Sequence, residues 1–430
     1  MEKFSILDND LYKFSMQQAV LELYPSCYVE YEFTNRKAKL FKFNEESIAH
    51  LKQKVNDLHR IRINEEEFVW LKQNFPCFSE KYLSYLKTFR FLPSKQVFID
   101  ISCDFELILR IKGLWVETIL YEVVILSLIS ETYFKFIDTD WNLEGQFENS
   151  VKKGTALLEG RCIFSEFGTR RRRSFEAQDI VVKGLIESSK LYEVEKKALS
   201  IDEKGCFSGT SNVFLAKKYG LKAIGTIAHE FIMAVSGTYI LLLQTSSNLL
   251  ALEKNLLHAN KRAMEKWLEV YPSPNPGYFN TALCDTFGTD AFLKDFSYDL
   301  SKKIPNLRQD SGDPETFVLK VLQHYKKLNL EKELVNKSII FSDGLNVEKC
   351  LTLKNFCKIK GEGITAKFGV GTFFTNDFKK TSDGEKSQPM DIVIKLSKVE
   401  NTFVCKLSDT KGKVHGEENA LKIALETFNL

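Results

Sequence analysis

The spacing of apolar and polar positions changes character along the chain. Tyr28 to Arg36, YVEYEFTNR, alternates residue by residue, which is the period of a strand with one face buried. NEESIAHLKQKVNDLHRI, from Asn44, and NEEEFVWLKQNF, from Asn64, instead place apolar residues at helical spacing behind an asparagine that can cap the first turn. Residues 1–130 therefore predict an α+β unit without internal repeats. The longest apolar stretch, LWVETILYEVVILSLISETYF from Leu114, is broken by Glu117, Glu122 and Glu131. A bilayer would penalise each carboxylate by about 2–4 kcal/mol, so this stretch predicts a buried helix and no membrane association.

From Ile163 to Phe374 the pattern becomes a series of short apolar runs, each ending in a polar loop and most followed by a helical segment. They are RCIFSEFGTR, GCFSGTSN, KAIGTIAHE, FNTALCDTFGTD, IPNLRQDSGDP, KSIIFSDGLN and AKFGVGTFF. Strands alternating with helices predict parallel βαβ units, in an open sheet or a barrel. Reactive residue types follow nearly every run: Arg170, Ser211, His229, Asp285, Arg308 with Asp310, Asp343, and Gly369 with Gly371. A barrel gathers the C-terminal ends of its strands at one mouth, whereas an open sheet would spread them along a line, so the barrel is the expected architecture for residues 131–375. In residues 376–430, DIVIKLSKVENTFVCKL and ENALKIALETF predict two strands and a helix that pack back on the N-terminal unit.

Composition narrows the chemistry. The chain has 60 basic and 57 acidic residues and a net charge of +3, so the run Arg170 to Arg173 is a local concentration of charge rather than part of a nucleic-acid-binding face. Nine scattered cysteines with no C-x-x-C pair suggest neither a disulfide framework nor a zinc site, and the N-terminus lacks a signal-peptide core. A reducing, cytoplasmic compartment is expected. Guanidinium groups and the bare backbone N–H groups of FGVGT suit phosphates. Asp285, Asp310, Asp313 and Asp343 suit ribose hydroxyls or a magnesium ion carried by phosphates. Together they predict a site for a phosphorylated sugar. Taken singly the signals are weaker: Tyr12 and Phe167 also read as core aromatics, and His229 as a hydrogen-bonded histidine at a strand end.

NDLYKFSMQQAVLELYP, EFGTRRRRS, FSGTSNVFLAKKYG, GTIAHEF, ALCDTFGTDAFL, RQDSGDP and FSDGLN, in this order from Asp8 to about Asn376, resemble the nicotinate phosphoribosyltransferase family of bacteria and fungi. The resemblance implies a distorted, incomplete α/β barrel whose N-terminal domain is completed by the C-terminal tail. It also implies a homodimer with shared active sites that joins nicotinate to 5-phosphoribosyl 1-pyrophosphate (PRPP), with Mg2+ as cofactor and ATP as co-substrate. On this resemblance Tyr12, from the neighbouring protomer, and Phe167 stack on the pyridine ring. Arg308 lies near its substituent and Arg170 on the phosphoribosyl side, and Arg171 is expected in the substrate site beside it. Asp285, Asp310 and Asp343 surround the ribose or the magnesium diphosphate, with Asp285 the candidate metal contact. Gly369, Gly371 and Thr372 cradle the 5-phosphate, and His229 is the phosphoryl acceptor. Nicotinamide-specific relatives carry an aspartate where this chain has Ser211, so an acid substrate is expected. A quinolinate-type enzyme would share fold and chemistry but lack the AHE histidine. Arg172 and Arg173 are expected to face solvent or to pair with Glu176 and Asp179.

Overall fold

The structure is a computed structural model that describes residues 5–199, 204–244, 256–272 and 279–429. Its strands are β1 (Tyr28–Asn35), β2 (Val97–Ile101), β3 (Leu107–Leu114), β4 (Ile163–Glu166), β5 (Cys206–Thr210), β6 (Thr281–Leu283), β7 (Asn306–Gln309), β8 (Ser338–Phe341), β9 (Thr365–Val370), a short hairpin of β10 (Phe378–Lys379) and β11 (Lys386–Ser387), β12 (Ile392–Val399) and β13 (Thr402–Phe403). They form two principal sheets. In the N-terminal sheet, ordered β13-β12-β1-β3-β2, the tail strand β12 runs antiparallel to β1. The C-terminal tail thus completes the N-terminal domain, as expected. Val29 and Tyr31 of β1 and Leu107, Leu109 and Ile111 of β3 point into the core, as the alternation in sequence requires.

The capped helices also form where expected. Asn44 accepts from the Ser47 amide at the start of Glu45–Asp57, and Asn64 from the Glu67 amide at the start of Glu65–Asn74; both are reciprocal capping boxes. The apolar stretch from Leu114 becomes the helices Trp115–Thr118 and Tyr121–Phe136, the second largely buried. Among the described residues no helix is long and apolar enough to cross a membrane.

The second sheet is six-stranded and parallel, in the order β5-β4-β9-β8-β7-β6. Phe164, Leu307, Phe341 and Phe368 from four of its strands share one core with the surrounding helices. No described pairing joins β5 to β6, so the barrel is incomplete. Six of the seven runs are strands, and the seventh, KAIGTIAHE, is not. It makes a single bridge, Thr210 to Ala223, before leaving the sheet. The reason lies at Gly225, where a Cβ would stand 2.7 Å from the Tyr12 amide nitrogen: the helix Leu11–Leu23 occupies the side on which another strand would pair. His229 therefore begins the helix His229–Gln244 instead of ending a strand.

After β13 the tail crosses the ends of β6 and β7. Leu407 donates its amide to the Thr286 carbonyl at 2.8 Å, Asp409 accepts the Thr289 amide at 2.9 Å, and Thr410 accepts the Gly312 amide at 2.9 Å. Residues 405–413 thereby form part of the barrel mouth.

Candidate active site

A cavity of about 1010 Å³ opens where the barrel mouth meets the N-terminal sheet. Tyr12, Phe167, Arg170, Arg171, His229, Arg308, Asp310, Asp343, Gly369, Gly371 and Thr372 all line it. Strand ends of one sheet converge on one site, which is what the placement of polar residues after apolar runs implied. Phe167 is fixed by its amide, which donates to the Val370 carbonyl at 2.8 Å. A Cβ on Gly371 would lie 3.1 Å from the Phe167 carbonyl oxygen, so a bare backbone lets the β4 and β9 loops meet.

His229 stands at the centre of a polar cluster. Its Nδ1 lies 2.9 Å from Thr286 Oγ1, and its Nε2 lies 3.2 Å from Asp310 Oδ2 and 3.6 Å from Asp285 Oδ1. Lys406 donates to His229 Nε2 at 2.8 Å and to Asp285 Oδ2 at 3.0 Å. Burial, with Lys406 adding to it, lowers the His229 pKa, so the ring is neutral at pH 7. Asp310 is held well below the usual carboxylate range: burial opposes its ionisation, but Arg308 and the neighbouring His229 and Lys406 outweigh it. Arg308 reaches Asp310 at 3.0 Å and Ser342 at 2.9 Å, which leaves its guanidinium partly neutralised. Asp343 pairs with Lys413, which also donates to the Asp310 carbonyl at 2.8 Å.

His229, Asp285 and Asp310 bring ligand atoms within 4.8 Å of one another. The trio nevertheless does not fit a resident divalent ion, because the Lys406 ammonium already occupies the space between His229 and Asp285 and would repel one. Asp285 is buried behind His229, bonded to Ser311 at 2.6 Å and to Lys406, and does not line the cavity. Its expected place as a metal contact is revised accordingly. Asp313 also leaves the carboxylate set: it caps the helix Pro314–Lys327 by accepting the Thr316 amide at 2.7 Å.

The four consecutive arginines divide into two pairs. Arg170, with 40% of its side chain exposed, faces the cavity with Glu122 at 3.6 Å. Arg171 lines it too, tied to Asp391 at 2.8 Å and to the Ile392 carbonyl at 2.9 Å; burial pushes its pKa down to about 10. Arg172 and Arg173 contradict the expectation of solvent exposure or pairing with Glu176 and Asp179, because both are buried. Arg172 forks onto Asp8 with two bonds of 2.7 Å and reaches Glu131 at 2.6 Å and Gln178 at 3.0 Å. Arg173 donates to Ser387 at 2.9 Å and lies 3.6 Å from the Phe134 ring centroid and 4.6 Å from that of Phe378. The connection from β4 to the following helix runs through the interior, and these two guanidinium groups pin it there.

Two further positions have surroundings that the sequence did not suggest. Tyr12 lines the cavity of its own chain, because the Leu11 amide donates to the Ser211 carbonyl at 2.9 Å and docks the first helix on the end of β5. Ser211 is fully buried outside the cavity lining and donates to Asp10 Oδ1 at 2.7 Å. Asp10, whose pKa burial raises, brings a carboxyl to the very place where Ser211 marked the lack of one. Sequence reasoning also missed Lys395, Lys406 and Lys413 from the tail, and Glu122 and Glu230 in the cavity wall. A signal existed for Glu122: a carboxylate inside an apolar helix requires a buried partner.

Comparison with known proteins places this geometry. The model of the nicotinate phosphoribosyltransferase N-terminal domain matches residues 7–130, and the model of the nicotinate phosphoribosyltransferase family matches residues 162–430. The chain belongs to the nicotinate phosphoribosyltransferase family. A nicotinate phosphoribosyltransferase of Methanosarcina acetivorans is 42% identical over 98% of this chain and 96% of its own length. The Saccharomyces cerevisiae nicotinate phosphoribosyltransferase is 40% identical over 97% and 93%. The crystal structure of the nicotinate phosphoribosyltransferase from Porphyromonas gingivalis superposes with a TM-score of 0.84 at 33% identity, covering 99% of each chain. The type of barrel expected of the family, with a tail-completed N-terminal domain, is the one described above.

Proposed function

We propose that this chain transfers the 5-phosphoribosyl group of PRPP to nicotinate, giving nicotinate mononucleotide and pyrophosphate, and couples the reaction to ATP hydrolysis through His229. The observation that carries this reading is a single cavity lined at once by two aromatic rings, by Arg170 and Arg308, by the tail lysines, and by the glycine-rich end of β9. Tyr12 and Phe167 offer flat apolar faces for a pyridine ring, and Arg308 a fork for its carboxylate. Gly369, Gly371 and Thr372 bring the end of β9 to the cavity, where backbone N–H groups would receive the 5-phosphate.

The chemistry needs little proton transfer. The pyridine nitrogen lone pair forms the new bond to C1 of the ribose, while the C1–O bond breaks and its electron pair leaves with pyrophosphate. Charge develops on the leaving group, so fixed cations there lower the barrier most. Arg170, Lys395, Lys406 and Lys413 supply them, and Mg2+ enters as the counter-ion of the polyphosphate substrates. In the ATP half-reaction the lone pair of the neutral His229 ring forms an N–P bond to the γ-phosphorus. The P–O bond to ADP breaks with its electrons, and water later releases phosphate. A phosphoryl group on His229 adds about two negative charges beside Lys406 and Arg308, enough to rearrange the cations that hold pyrophosphate.

Nine free cysteines suit the reducing, cytoplasmic compartment in which we place the reaction. The test is direct: purified protein is given PRPP, Mg2+ and ATP with either nicotinate or nicotinamide, and mononucleotide is measured. Nicotinate mononucleotide is expected at a far higher rate than the amide product, and equal rates would refute the acid specificity.

A further inference from the structure

Behind the cavity wall lies a buried lysine that the reaction as described does not use, joined to two carboxylates of the wall. Lys13, on the helix Leu11–Leu23, has no exposed surface. Its ammonium reaches Glu122 Oε2 at 2.5 Å and also pairs with Glu230. Glu230, next to His229, accepts from Tyr31 at 2.6 Å and from Trp115 at 2.7 Å, so its carboxylate is fully occupied. Glu122 is not: its other oxygen faces Arg170 at 3.6 Å, too far for a hydrogen bond. Glu122 thus meets two cations, one on each oxygen, and holds the buried one much the closer.

We propose that Lys13 is a positioning residue that occupies Glu122 and so leaves the Arg170 guanidinium free to bind the anionic phosphoribosyl substrate. Without the ammonium, Glu122 has one remaining cation within reach among the described residues, and a partly exposed arginine on a flexible stem closes a gap of this size readily. A guanidinium locked onto a buried carboxylate no longer serves a phosphate. Ionisation is consistent with this: burial disfavours both charges, yet Glu122 and Glu230 raise the Lys13 pKa, and Lys13 and Arg170 lower that of Glu122, so the pair stays charged.

The inference rests on the reading that Arg170 meets PRPP, and the test separates the two. The KM for PRPP and kcat are measured for the wild type, Lys13→Met, and Lys13→Met combined with either Glu122→Gln or Glu230→Gln. Lys13→Met should raise the KM for PRPP by roughly tenfold or more, the size of one lost charge-assisted hydrogen bond, with a smaller change in kcat. Glu122→Gln in the same chain should bring that KM back, because no carboxylate then captures Arg170, whereas Glu230→Gln should not. If the effect came only from an uncompensated buried charge, neutralising either carboxylate would rescue equally, and that result would overturn the proposal, as would an unchanged KM in Lys13→Met. Should Lys13→Met not fold, Glu230→Gln alone carries the test: it leaves Lys13 to Glu122, so the KM for PRPP should hold or fall, and a rise would overturn the proposal. Wild-type protein that makes no mononucleotide from PRPP would instead refute the underlying activity.

Discussion

Arg170 and Arg172 sit two residues apart in a run of identical side chains, yet the structure assigns them opposite consequences on removal. Arg172→Met strips a buried guanidinium from Asp8, which it grips through two bonds of 2.7 Å, and from Glu131 at 2.6 Å. Breaking a buried ion pair by deleting one partner costs about 3–5 kcal/mol, since the other charge stays in a poorly solvated site. Asp8 keeps one donor, Asn212 at 2.7 Å, which offsets a fraction of that. Arg170→Met removes a side chain that is 40% exposed and only loosely paired, and such surface-type pairs contribute less than about 1 kcal/mol. Its loss should instead cost on the order of 10²-fold in kcat/KM, the scale for one group that stabilises charge developing in the transition state. Urea unfolding followed by tryptophan fluorescence, with steady-state kinetics on the same samples, measures both quantities. The reasoning fails if Arg172→Met keeps wild-type stability while losing turnover, or if Arg170→Met unfolds as readily as Arg172→Met.

Ser211→Asp should lose about 1–3 kcal/mol of stability and raise the KM for nicotinate, because a second carboxyl beside Asp10 brings a larger polar group into a fully buried position and the two acids cannot both ionise at that distance; unchanged unfolding and an unchanged KM would count against the placement of Asp10. Mixing Tyr12→Ala with Arg170→Ala protein should restore no activity, since both side chains line the cavity of one chain, whereas recovery toward about a quarter of normal, the value for random pairing of one intact site, would show that a partner supplies the tyrosine. Lys395 lines the cavity and burial, helped by Lys406, Arg36 and Lys413, pushes its pKa down to about 7. A bound diphosphate must raise that value again, so PRPP binding should take up protons above pH 7 and weaken as pH rises, as read by calorimetry in buffers of different ionisation heat. The same depressed pKa means the unfolded chain holds more protons than the folded one above pH 7, so this residue's contribution to stability rises with pH there; Lys395→Met should flatten both dependences.

Much of the fold was legible because the patterns that carried it are local. The β1 alternation, the two asparagine caps and six of the seven strands needed only neighbouring residues to settle. KAIGTIAHE failed because its fate depends on Gly225 meeting the first helix, more than two hundred residues away in sequence. The same limit governs the site. Arg170 and His229 stand out by residue type next to an apolar run, but Lys13 and Glu122 acquire meaning only from each other, and Lys406 only from a tail that crosses the barrel mouth. The arginine run misled in the opposite direction. Four identical side chains suggest one purpose, while a chain that turns inward after Arg171 gives the second pair an entirely structural one.

The coupling of ATP to the condensation is tested most directly by labelling. Protein incubated with γ-labelled ATP should carry an acid-labile phosphoryl group on His229, and His229→Asn should lose both the label and the stimulation of synthesis by ATP while retaining its fold and some synthesis at high PRPP. A His229→Asn protein that still takes up acid-labile label and still responds to ATP would contradict the account.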